Sequence, residues 1–207
     1  PTVVARKLTL GLTDDLKLTI PEGFMASQIA ERLEKAGITD ARTFLEVVAA
    51  RKLEGRLFPS TYHFPPGYGA EKAAAAMTAE FGRQIGAAYS AASPKPDLSF
   101  EDALTLASIV EREAVLKQER PIIAAVYLNR LRKKMPLQAD PTVQYALDLG
   151  YWKKGLTRAD LQTPSSYNTY IRRGLPPGPI SSPGLESFKG VLSPAKTAAL
   201  YFVADMT

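Results

Sequence analysis

"LTLASIVEREAVL" (104–116) reads as one amphipathic helix with a carboxylate where the helix should be apolar. At about 100° per residue, Phe100, Ala103, Leu104, Leu106, Ala107, Val110, Ala114 and Val115 fall on one broad arc. Glu111 lies inside that arc, between Phe100 and Leu104 in projection. Glu113 falls at its other edge, near Leu106, while Ser108 and Arg112 point toward solvent. A carboxylate on a buried face is costly unless it is paired or protonated. One reading of Glu111 is a general acid whose pKa is raised by burial. The other is a buried ion pair or a capping contact to a neighbouring loop. Periodicity leaves both open.

Working outward, Ser99 and Asp102 have the spacing of a capping box, so the helix is expected over 99–116. Another helix is expected over about 120–133, with Pro121 in its first turn, and a further one from Asp140-Pro141 to about 148. On that pattern Asp140 is the N-cap. Upstream, 70–92 reads as an Ala-rich helix and "LEGRLFPSTYHFPPGYG" (53–69) as a connector too apolar to be loose. Before it come helices at about 25–36 and at 40–49, the latter with Asp40 as N-cap. Residues 2–9 and 16–20 read as short strands of a hairpin. Downstream, "TPSSYNTY" and "GLPPGPISSPG" (163–184) are turn-rich, followed by a short helix at 184–191 and a closing strand, "ALYFVAD". The fold class is therefore α+β. A small α+β unit occupies 1–52, and a mainly helical unit with long Pro/Gly loops and few strands occupies 53–207.

Composition narrows the chemistry. The chain has 207 residues, no cysteine, one histidine (His63) and a formal net charge of +5. Thiol nucleophiles, disulfides and Cys- or His-rich metal sites are thereby removed, and no metal or cofactor is expected. The densest basic run, "RLRKK" (130–134), sits at a helix end, where cations suit the dipole. No aromatic RNA signature accompanies it, so nucleic acid is not expected as a partner. "SPAK" (193–196) has the S-x-x-K spacing of serine acyl enzymes but lacks the companion motifs. Carboxylate chemistry remains, and its natural use is glycosidic bond cleavage. No run is long and apolar enough to span a bilayer. The chain starts at Pro1 rather than Met, as a processed form or a fragment would.

Five separated stretches carry a resemblance: "LEGRLFPSTYHF" (53–64), "LASIVEREA" (106–114), "ERPIIAAVYLNRLRKKMPLQADPTVQYAL" (119–147), "LTRADLQTPSSYNTYIRRGLPPGPISSPG" (156–184) and "LSPAKTAALYFVAD" (192–205). In order and spacing they resemble the MltG/YceG-like endolytic murein transglycosylases, and "IPEG" (20–23) with the following helix resembles that family's LysM-like subdomain. The resemblance implies cleavage of the MurNAc-β-1,4-GlcNAc bond within nascent peptidoglycan strands, leaving 1,6-anhydro-muramyl ends. It makes Glu111 the single general acid/base, its pKa raised by apolar surroundings. Supporting substrate contacts would come from Glu113, Gln138, Asp140, Tyr167, Asn168 and Thr169. Glu113 would position Glu111, bind substrate or pair with an arginine. The Asn168 segment could equally be an Asn-driven turn.

The resemblance further implies glycan strands as partners, with peptidoglycan synthases beside them. It also implies an N-terminal anchor in the inner membrane, with this region on the periplasmic, cell-wall side. The family continues past "YFVAD", so the C-terminal end is expected to be truncated. The reading from a different class is a non-catalytic peptidoglycan-binding or scaffold module. A hydrolase of the same fold would differ in leaving reducing rather than anhydro ends.

Overall fold

The structure, a computed structural model, describes residues 15–93, 97–152 and 155–202. β1 (Leu16–Thr19) pairs antiparallel with β2 (Thr61–Phe64), Leu16 opposite Phe64 and Thr19 opposite Thr61. Residues 2–9 of the expected hairpin lie outside the described residues. The partner seen for 16–19 comes from the Gly/Pro/aromatic connector. A four-residue strand gives too few alternations to be read from periodicity.

Between the strands lie α1 (Ala26–Lys35) and α2 (Ala41–Arg51). Asp40 caps α2 as expected, its carboxylate accepting from the Thr43 N–H at 2.8 Å. Ile29 and Leu33 of α1 and Phe44 of α2 pack with Ile20, Leu57, Phe64 and Met77 into one core. The connector thus packs, as its apolar content implies, and residues on both sides of position 52 share that core. Met77 belongs to α3 (Ala70–Phe81), which runs through a π-helical turn at Gly82–Gly86 into α4 (Ala87–Ala91). The expected single helix is one rod with a π-bulge between two glycines.

α5 (Phe100–Glu113) is the central element of the second core. Ser99 caps it, accepting from the Asp102 N–H at 3.1 Å and donating its hydroxyl to the Asp102 carboxylate at 2.6 Å. α6 (Arg120–Arg132), α8 (Leu185–Leu192) and the 180–184 segment surround it. Every residue from Ala103 to Glu111 is buried. Ser108, on the solvent side in projection, is wholly buried, donating to the Thr105 carbonyl at 2.7 Å and accepting from the Ile180 N–H at 3.0 Å. A helix packed on all sides has no solvent face for a wheel to find.

α5 also stops earlier than its pattern. Glu119 accepts from the N–H groups of Val115 and Leu116 at 3.1 and 2.9 Å, which turns the chain into α6. Val115, on the expected apolar arc, is left 73% exposed. α7 (Asp140–Ala146) follows, with Ala139 rather than Asp140 at its N-cap. Of the expected closing strand, residues 199–202 form no strand, and 203–205 lie outside the described residues. The class is mostly helical α+β. No helix among the described residues is long and apolar enough to cross a membrane.

Candidate active site

Glu111 sits on the last full turn of α5, beside the start of α6 and the start of α8. Its Oε1 takes a charge-assisted hydrogen bond from Arg120 Nη2 at 2.9 Å, and its Oε2 accepts from the Gly184 N–H at 2.8 Å. Arg120 also reaches Glu22, in the "PEG" turn of the N-terminal unit, at 3.4 Å. Gly184 is the residue before α8, so its amide brings the positive end of that helix to the carboxylate. A Cβ on Gly184 would lie 2.0 Å from Glu22 Oε1, so a larger residue there would displace the Glu22 carboxylate. Burial and the nearby Glu111 push the Glu22 carboxyl up, with Arg120 opposing. Glu111 itself is buried. An ion pair and a loop amide take both its oxygens, the alternative that periodicity left open.

Glu113 meets a different environment. It ends α5, and the Tyr127 hydroxyl on α6 donates to its Oε1 at 2.9 Å. Among the described residues no second donor is recorded on its carboxylate. Burial pushes the Glu113 carboxyl up to about 7; Asp140 adds to the rise, while the Tyr127 hydrogen bond, Arg130 and Arg112 oppose it. Neither arginine pairs with it. Arg130 donates to the carbonyls of Leu200 and Leu137 at 2.7 and 2.6 Å, and Arg112 stacks on Trp152 at 4.3 Å. Asp140 accepts from the Tyr170 hydroxyl. Phe202 packs edge-on against Tyr127, and Tyr201 covers Arg130.

The remaining expected residues divide. Gln138 is exposed and left-handed at φ 49°, two residues before Asp140. That conformation is uncommon for a side chain with a Cβ, and such backbone strain gathers at functional sites. Asn168 and Thr169 are buried, and their polar atoms are spent inside the protein. Asn168 Nδ2 donates to the carbonyls of Leu161 and Thr163 at 3.1 and 2.9 Å, and its Oδ1 accepts from the Tyr170 N–H at 2.9 Å. Thr169 Oγ1 bonds Thr142 Oγ1 at 2.8 Å and accepts from the Ala139 N–H at 3.0 Å. Asn168 makes the Asn-driven turn that the sequence also allows, and with Thr169 it holds the loop that sets Tyr170 and Gln138 beside α7. Tyr167 points elsewhere, its ring 4.7 Å from that of Tyr145, in a cavity with Glu54.

Tyr127, Tyr170 and Glu54 were missed. Tyr127 lies within an apolar helical run and reads as core. Glu54 carried a faint signal, a lone acid between Leu53 and Leu57, both of which are buried.

The arrangement around Glu113 can deliver and retrieve one proton at neutral pH, which is general acid/base chemistry. A family model described as the YceG-like family matches residues 1–207. An endolytic murein transglycosylase of Bacillus subtilis is 37% identical over 97% of this chain and 62% of its own length. One from Streptococcus pneumoniae is 32% identical over 92% of this chain and 40% of its own length. The chain therefore spans about two-fifths to three-fifths of these curated relatives. The crystal structure of a yceG-like protein from Listeria monocytogenes superposes with a TM-score of 0.80 at 36% identity, covering 99% of this chain and 75% of that one. The chain belongs to the YceG-like family.

Proposed function

We propose that this chain is the catalytic region of an endolytic peptidoglycan transglycosylase, cutting the MurNAc-β-1,4-GlcNAc bond within glycan strands, with Glu113 rather than Glu111 as the general acid/base. The family membership supports the reaction class. The single observation that carries the residue is the contrast in occupancy. Glu113 has a carboxyl raised to about 7 and one hydrogen-bond partner recorded, whereas both oxygens of Glu111 are engaged.

One carboxyl suffices for this reaction. Protonated Glu113 gives its proton to the bridging oxygen as the bond from the muramyl anomeric carbon breaks. The resulting carboxylate takes the proton of the same sugar's 6-hydroxyl as that oxygen closes on the anomeric carbon. The products are a 1,6-anhydro-muramyl end and a free 4-hydroxyl, with no water consumed, and the acid is restored. Classical glycosidases need a second carboxylate because water or a protein nucleophile must attack. Tyr127 holds Glu113 in place, Asp140 biases it toward the protonated form, and Gln138 and Tyr170 flank the sugar. Glu111 acts through structure, tying α5, α6, α8 and the "PEG" turn together.

Further parts of the reading rest on the same family. The β1–α1–α2–β2 unit is LysM-like, by its element order and its single antiparallel pair. It extends past residue 52, because the strand that completes it is 61–64. In the cell the chain works on the wall side of the membrane, held by an anchor outside this sequence and near peptidoglycan synthases. Mass spectrometry of uncrosslinked glycan strands treated with the protein tests the reaction. Internal fragments with 1,6-anhydro ends are expected; reducing ends would make it a hydrolase, and intact strands a binding module.

A further inference from the structure

A cavity of about 1070 Å³ opens between the N-terminal unit and the Pro/Gly loops of the helical unit. Glu113, Tyr127, Asp140 and Tyr170 do not line it. Its volume lies just above the ~300–1,000 Å³ typical of small-molecule pockets, room for more than one sugar ring. Glu54 lies in its wall, accepting from the Ala26 N–H at 3.2 and 3.3 Å, from the Gly55 N–H at 3.3 Å and from the Tyr145 hydroxyl at 3.5 Å. The rings of Tyr145 and Tyr167 make an aromatic surface, and Pro177 and Pro179 give an apolar one.

The cavity is built rather than incidental. Gly55 holds φ +78°, and a Cβ there would lie 2.3 Å from Pro179 Cβ, so the proline wall is seated against the backbone next to Glu54. Glu54 also does the work that the Met25 N-cap cannot, receiving the first amide of α1. Two of the cations at the rim are already neutralised, Arg51 by Glu71 and Arg56 by Glu101. That arrangement does not suit a polyanion. It suits a neutral ligand with ring C–H faces for the tyrosines and hydroxyl or amide donors for a carboxylate. Burial pushes the Glu54 carboxyl up to about 7, so near neutrality it can accept or donate.

We propose that this cavity is a second carbohydrate site, taking N-acetylated sugars of the strand that is cut at Glu113. The proposal rests on the transglycosylase reading for its ligand. The two sites share α7, with Asp140 at one and Tyr145 at the other, five residues or about 7.5 Å of helix rise apart. A strand held at both is cut at a set distance from the sugars gripped by the tyrosines.

The test uses chitotetraose, which carries the acetamido sugars and neither lactyl group nor peptide. Its binding is measured by calorimetry to the Glu113→Gln protein, which removes turnover. Ala49 lines the cavity from the exposed face of α2, so Ala49→Trp fills the space without touching the core. Saturable binding, weakened at least tenfold by Ala49→Trp and also by Tyr167→Ala, is the expected result. No binding, binding unchanged in those variants, or binding only of a free stem peptide overturns the proposal. With Glu113 intact, Ala49→Trp is expected to raise KM on long strands while kcat holds. An unchanged KM, in a wild type that does release anhydro ends, sinks the second site alone. A wild type that releases none sinks the functional reading, and the calorimetry still decides the cavity.

Discussion

Glu111 and Glu113 stand two residues apart on one helix and face opposite surroundings. On the Glu111 side, a guanidinium and a helix-start amide converge on a carboxylate that is 9% exposed. On the Glu113 side, one phenol donates while a second carboxylate, Asp140, stands near. Burial is common to both; what differs is what the burial brings into contact. Donors on both oxygens make a structural strut, whereas at Glu113 burial against a single opposing donor, with Asp140 adding to the rise, pushes the carboxyl up to about 7. A buried charge is therefore not enough to identify an acid. The partners decide.

The comparison can be broken in several places. The largest effect is expected from Glu113→Gln, a loss of about 10²–10⁴ in cleavage rate, the usual range for a general acid/base, with melting little changed. Glu111→Gln should act on stability instead. It leaves the buried Arg120 with Glu22, at 3.4 Å, as its one carboxylate partner, a cost of about 3 kcal/mol and a fall in Tm of roughly 10 °C by calorimetry. Asn168→Ala removes a buried amide with three hydrogen bonds and should cost about 2 kcal/mol in denaturant unfolding with KM unchanged. A raised KM at full stability would return Asn168 to the substrate.

The pH dependence sharpens the same contrast. Glu113 must be protonated to donate, and its protonated fraction falls as pH rises through about 7. kcat/KM should therefore fall above that pH. Tyr127→Phe removes a bond that favours the carboxylate, so the alkaline limb should move to higher pH. Asp140→Asn removes a like charge, so the limb should move lower. Immobility of the limb in both variants would separate Glu113 from the titration.

Much of this fold was legible. The helices, the Ser99 and Asp40 caps and the proline in the first turn of α6 all follow from local rules of spacing and hydrogen bonding. The wheel marked Glu111 as buried and offered the correct environment among its alternatives. It failed at Ser108 because α5 is enclosed on all sides, and at Val115 because Glu119, from outside the helix, ends it. Nothing local to "ASIVERE" reveals that Arg120 reaches back to one glutamate and Tyr127 to the other. Those assignments come from how α6 crosses α5, a tertiary fact. Of the two readings of Asn168, a substrate contact and an Asn-driven turn, the turn is the one whose hydrogen bonds are seen, and with Thr169 it bolts the loop to α7.

The most direct test of the central claim is a side-by-side product analysis of Glu113→Gln and Glu111→Gln on purified uncrosslinked glycan strands, normalised to folded protein. The account predicts that 1,6-anhydro ends vanish with Glu113→Gln and persist with Glu111→Gln. Anhydro ends that persist with Glu113→Gln and vanish with a folded Glu111→Gln would contradict it and return the acid to the ion-paired residue.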